Sequence, residues 1–285
     1  MLRLQPRRRD PARKQRLLRQ RMRAYREKRL GPRRRQIPRA AVPSFFTLMN
    51  LLSGFIAITQ VFDGRFQQAC WFIVLAGFFD LLDGMIARLA NGQSLFGVEL
   101  DSLSDVVSFG VAPAFLVYVF GLKEFGILGL FVASLPALCG AVRLARFNVS
   151  FGGVKKEYFS GLPIPVQAIF IVVLILTVED ASWFSRYSPN NLSILVPIII
   201  VLSGLMITTI RFDAPPKPTA RYIRMHPRKS AAYGLGLLLT IFFQQFGLLI
   251  SLSVYLLHGI GRAVVNLIRA IMSTPIDDAA GGGQA

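Results

Sequence analysis

The sequence predicts an all-α protein built as a multi-pass transmembrane helical bundle, and three observations predict it. Only 17% of the 285 residues are charged, 53% are hydrophobic with Phe alone occurring 23 times, and the mean hydropathy is +0.50, whereas soluble chains carry about 25% charged residues. The apolar residues gather in runs of about 17 to 25, the length that crosses a hydrocarbon core of ~30 Å. The runs are continuous and do not alternate, so backbone hydrogen bonds inside lipid are met by helices and not by barrel strands.

The chain opens on a basic arm. Residues 1–40 hold 17 of the 33 Lys and Arg against only Asp10 and Glu27, a surplus of fifteen that leaves +3 of the net +18 for the other 245 residues. Basicity confined to a tail, with Tyr25 as its only aromatic, predicts an arm that is disordered, fixes membrane orientation and touches anionic lipid headgroups; it argues against nucleic acid as a partner. A cleavable signal peptide is not expected, because the run after the arm is a full span.

Spans are predicted over 44–62, 66–90, 97–121, 125–147, 162–178 and 192–211. The stretch 231–260 reads either as one helix rising about 45 Å or as two shorter helices turning at Gln244 and Gln245. With two helices, 30 of the 33 basic residues fall on the arm's side and only Arg65, Lys123 and Arg186 lie opposite, so the positive-inside rule favours about eight spans with both termini cytoplasmic in the cell membrane. The domain reading is therefore an arm over 1–40, a membrane domain over 41–262, and a cytoplasmic tail over 263–285 with a disordered Gly-rich end. Cys70 and Cys139 lie in apolar runs, and with only His226 and His258 there is no zinc or thiol motif.

Acids inside such runs are costly and mark function. Asp80 and Asp83 lie on one stripe with Gly84 and Ala87, while Asp101 and Asp105 lie on another with Gly97. Two antiparallel helices would converge four carboxylates near the boundary of the membrane. Such charges repel unless cations compensate. All-oxygen donors select hard ions, Mg²⁺ or Mn²⁺ with Ca²⁺ also compatible, and four carboxylates can bridge two of them to clamp a phosphoryl group. Gly84 and Ala87 leave room for a ligand against the helix, and Arg88 can pair with phosphate. Taken singly, the acids would also serve as helix-end charges.

The order Asp80, Asp83, Gly84, Ala87, Arg88, Gly97, Asp101, Asp105 matches the signature DGxxAR followed by GxxxDxxxD, with an additional leading Asp, and so resembles the CDP-alcohol phosphotransferase family. The resemblance implies a six-helix membrane core, here followed by two C-terminal helices, and two divalent cations. It implies a phosphatidyl-type group transferred from a CDP-linked lipid to an alcohol with release of CMP. It also implies residue roles: Asp80, Asp83 and Asp101 as metal ligands, Asp105 as both ligand and general base, and Thr47, Asn50, Gly84, Ala87, Arg88, Ser94 and Gly97 around the CDP-lipid. Residues 46–50, 143–148 and 161–165 resemble the serine-accepting branch, extending the likeness over roughly 43–260. This implies CDP-diacylglycerol and L-serine as substrates, in phospholipid biosynthesis, and leaves room for a homodimer.

A serine carboxylate would be repelled by four aspartates, so its pocket needs fixed positive charge. Arg143 and Arg146, three apart, are the expected serine-binding residues with Asn148; snorkelling at a helix end is their simpler role. Pro163 and Pro165 suit a helix start. Two other readings share these residues: the same chemistry with glycerol phosphate or inositol phosphate as acceptor, and a cation transporter or channel, whose acids would line a path at mid-depth.

Overall fold

Helix α1, Ala41–Phe62, starts with Pro43 in its first turn, where no intrahelical N–H is missed, and ends at a tight turn in which Gly64 takes φ +74°. The turn closes through Arg65 N–H to the Gln60 carbonyl (2.9 Å), and α2, Phe66–Leu89, runs back along α1. The computed structural model describes residues 41–89, 95–150, 158–180, 194–213 and 224–272. The predicted arm, most of the tail and Ser94 lie outside the described residues.

Helix α3, Leu95–Asp105, passes without a break into a π-helical turn, Val106–Val111, then into α4, Ala112–Val117, a second π turn, Tyr118–Leu122, and a short 3₁₀ turn, Lys123–Phe125. Gly126 (φ +58°, ψ −132°) reverses the chain into α5, Gly126–Ser150. Gly129 then lies so close to the Leu122 carbonyl that a Cβ there would collide with it, which fixes the reversal as a tight hairpin.

Strand β1, Tyr158–Ser160, leads to α6, Ile164–Asp180, and α7, Leu195–Ile207, leads to β2, Arg211–Asp213. The strands pair antiparallel with Phe159 opposite Phe212. This ribbon accounts for a difference from the expected span over 192–211: α7 has 13 residues, about 20 Å of helix. Beyond it Thr208 is extended, and the Ile210 carbonyl is taken by Gly161 N–H (2.8 Å) instead of continuing a helical ladder. Gly161 (φ +77°) is pressed against the Met206 carbonyl, an approach no other residue could make.

The last element, α8, Pro227–Met272, is broken at Gln244 (φ 48°, ψ −122°). Ser251 Oγ donates to the Gly236 carbonyl at 3.2 Å, and Gly247 abuts the Leu239 carbonyl. Residues fifteen apart on an unbroken helix are separated by about 22 Å, so the two limbs form a hairpin, the two-helix alternative.

Four stretches among the described residues are long and apolar enough to cross a membrane: Ser44–Phe62, Phe66–Ala87, Phe96–Val149 and Lys229–Asn266. The third reverses at Gly126 and the fourth at Gln244; with the shorter Ile164–Glu179 and Leu195–Ile207 they make eight helical limbs. The core is filled by Ile73, Phe109, Leu116, Leu122, Ile171 and Ile199. Many large apolar side chains instead point outward, among them Phe62, Ile127, Phe131 and Phe242, as expected where the surrounding solvent is hydrocarbon.

Candidate active site

The polar side chains cluster at one end of this bundle, where α1 and α3 begin and α2 and α5 finish. The packing that holds them starts with Gly54. A Cβ there would stand 2.7 Å from the Cα of Ser108, so α1 and the π turn after Asp105 approach at backbone distance, the contact that small residues permit between membrane helices. Across it Ser104 Oγ donates to the Thr47 carbonyl (3.1 Å) and Ser108 Oγ to the Asn50 carbonyl (2.9 Å). Both serines are fully buried, so each satisfies its own hydroxyl and fixes the register of α1 against α3.

That register delivers two side chains of α1 to the acids. Asn50, wholly buried, donates from Nδ2 to Asp105 Oδ1 at 3.2 Å, and the Thr47 hydroxyl meets Asp83. Carboxylate oxygens of Asp80, Asp101 and Asp105 all lie within 4.8 Å of one another. Asp83 is buried beside them, outside that trio but within charge range of Asp80 and Asp101. Gly84 and Ala87 are half-buried on the same helix as Asp80 and Asp83, and Gly97 is half-buried in the first turn of α3.

Three acids this close, in a chain otherwise poor in charge, fit a hard cation. Asp83 Oδ2 and Asp101 Oδ1 are buried with no hydrogen-bond partner, and an orphaned carboxylate oxygen beside other carboxylates suits coordination by Mg²⁺, Mn²⁺ or Ca²⁺. The π turn begins at the residue after Asp105, a deformation that often marks functional positions in helices; here it carries Ser108 onto α1.

The expected serine-binding residues take different positions. Arg143 is half-buried with its Nε unpartnered, within charge range of Asp105 and of Tyr255 on the second limb of α8. Arg146 is exposed, and its guanidinium donates to the Ile207 carbonyl at the end of α7 (2.8 Å). Asn148 donates to Ser102 Oγ (3.0 Å), tying the end of α5 to the last turn of α3. Nothing is described of the Arg88 side chain. Gly54, Ser104, Ser108 and Tyr255 are site-building residues that the motif does not contain. Only the serines had a visible signal, since 101, 104, 105 and 108 share one helical face.

A helical membrane bundle that gathers carboxylates at one end defines a class of membrane-embedded proteins with a site that could hold a hard cation. The CDP-alcohol phosphatidyltransferase family model matches residues 40–203, and the chain belongs to that family. It is 32% identical over 231 residues to a CDP-diacylglycerol–serine O-phosphatidyltransferase of Helicobacter pylori strain J99, covering 81% of this chain and 94% of the relative. It is 41% identical over 174 residues to an archaetidylserine synthase of Methanothermobacter thermautotrophicus (60% of this chain, 69% of the relative). A Bacillus subtilis CDP-diacylglycerol–serine O-phosphatidyltransferase is 35% identical over 171 residues (60% and 89%).

Proposed function

We propose that the chain transfers the phosphatidyl group of CDP-diacylglycerol to the hydroxyl of L-serine and releases CMP. The observation that carries the reading is the approach of Asp80, Asp101 and Asp105 to within 4.8 Å, with Asn50 holding Asp105. Two divalent cations, Mg²⁺ or Mn²⁺, held by Asp80, Asp83, Asp101 and Asp105, would supply charge neutralisation to the pyrophosphate.

The chain's own groups do the rest. Gly84, Ala87 and Gly97 leave room for the nucleotide, and Arg88 and Ser94 border it. Asp105 accepts the proton of the serine hydroxyl as its oxygen bonds to phosphorus and the bond from phosphorus to the CMP oxygen breaks. Asn50 keeps the Asp105 carboxylate oriented by donating to one of its oxygens. Arg143, with an unpartnered Nε near Asp105, offers a positive wall to the serine carboxylate. The basic arm over 1–40 orients the membrane domain over 41–262 with both termini and the site on the cytoplasmic face of the cell membrane.

The test is CMP release by the purified protein from CDP-diacylglycerol in mixed micelles, with L-serine, glycerol 3-phosphate or inositol 1-phosphate as acceptor. L-serine should be used, and Arg143→Ala should raise the serine KM on the order of tenfold while changing the CDP-diacylglycerol KM much less. Release with a phosphorylated acceptor and none with L-serine would overturn the choice of acceptor.

A further inference from the structure

The second limb of α8 reaches the aspartate end of the bundle through Tyr255. Its ring packs on Phe212 of β2 (5.8 Å between centroids, 38° between planes), and Phe212 is itself fully buried. One turn on, Gly259 meets the same ring so closely that a Cβ would collide with it, and the intervening Leu256 is buried. The limb also packs on α6. A half-buried tyrosine ring held in this way has its hydroxyl placed by the fold, and such a hydroxyl takes a polar partner.

Arg143 of α5 lies within charge range of both Tyr255 and Asp105. Arg146, on the same face of α5, donates to the Ile207 carbonyl at the end of α7, so this face is turned toward the strand that carries Phe212. The two arginines differ in what they hold. Arg146 is engaged by a backbone carbonyl, whereas Arg143 Nε is buried with no hydrogen-bond partner, and among the described residues no carboxylate stands at ion-pair distance from Arg143. A partly desolvated guanidinium without an anion is costly, so this position favours an anion that docks there. In serine only the α and β carbons separate the hydroxyl from the carboxylate. Groups that hold the carboxylate must therefore lie within a residue's length of the base that takes the hydroxyl proton, which is where Arg143 and Tyr255 converge on Asp105.

We infer that Tyr255 selects the acceptor: its hydroxyl and the Arg143 Nε–H donate together to the carboxylate of an amino-acid acceptor whose own hydroxyl faces Asp105. The inference rests on the acceptor proposed above and adds to it a residue outside 40–203, the part that the family model matches. The C-terminal hairpin thereby completes the acceptor end of the site, with α3 supplying the base, α5 the cation and α8 the phenol. A phenol donates without adding charge, so it strengthens the hold on a carboxylate without drawing Asp105 away as a second cation would. A tyrosine that only anchored the helix at the membrane boundary would use its ring and leave its hydroxyl to water or headgroups.

Steady-state CMP release from CDP-diacylglycerol with varied L-serine tests it on Tyr255→Phe, which keeps the ring and removes the hydroxyl. The serine KM should rise about tenfold or more, the loss expected for a hydrogen bond to a charged group, while kcat at saturating serine, the CDP-diacylglycerol KM and the thermal midpoint stay within error of the unaltered protein. Tyr255→Leu, which also removes the ring from Phe212, should lower the midpoint as well. Because both donors serve one carboxylate, adding Tyr255→Phe to Arg143→Ala should raise the serine KM less than about threefold further. An unchanged serine KM in Tyr255→Phe, an equal rise in the KM of both substrates, or full additivity with Arg143→Ala would overturn the inference while leaving the reaction in place. Failure of the unaltered protein to use L-serine at all would instead overturn the acceptor reading, and this inference with it.

Discussion

The helices around the aspartates and the α8 hairpin are both membrane-length and apolar, yet they pack differently. In the first three apolar stretches 33%, 28% and 28% of the most apolar window is buried inside the protein; in Lys229–Asn266 the share is 6%. The aspartate region is held by backbone-distance contact at Gly54 and by serine hydroxyls on carbonyls of the neighbouring helix. The hairpin closes on itself through Ser251 and Gly247, and it packs on α6 and, through Tyr255 and Gly259, on Phe212 of β2. Reactive groups that must meet within a few ångströms require rigid neighbours, whereas a helix whose partner is lipid requires only length and hydrophobicity.

The largest effect should come from the acids themselves. Asp101→Ala, or a chelator such as EDTA on the unaltered protein, should lower CMP release on the order of a hundredfold or more, while the variant still inserts and elutes as the unaltered protein does. Removing one of several mutually repelling carboxylates relieves charge, so folding should survive. Undiminished activity in chelator would break the metal reading.

Next comes the same perturbation placed in each region. Gly54→Val drives a side chain into Ser108 and its backbone, so overpacking on the order of 1–3 kcal/mol falls on the contact that positions Asn50 and Thr47. Turnover should fall about tenfold or more, together with the thermal midpoint. The smallest effect is expected for Gly247→Val, which strikes the Leu239 carbonyl inside the hairpin. It should lower the midpoint but leave turnover within about threefold, because lipid lets the limbs splay without moving an aspartate. Equal losses of turnover in the two variants would show that the hairpin is coupled to the site as tightly as α1 is.

What the sequence determined by itself is whatever local spacing encodes. Runs of apolar residues set the spans over α1, α2 and α5, because crossing hydrocarbon is a matter of length. Steps of three and four placed Asp80 with Asp83 and Asp101 with Asp105 on single faces, because helical periodicity needs no partner. The tertiary structure decided what depends on residues far apart in the chain. The sequence allows one helix or two over 231–260, with the charge distribution favouring a turn at Gln244 and Gln245, and the contact of Ser251 with Gly236 decides for two. The short α7 ends where Gly161 takes a carbonyl that would otherwise have continued the helix. The joining of three carboxylates with Asn50, leaving Asp83 beside Thr47, rests on the approach of Gly54 to Ser108, and side-chain shape across two helices has no signature in the spacing of either one.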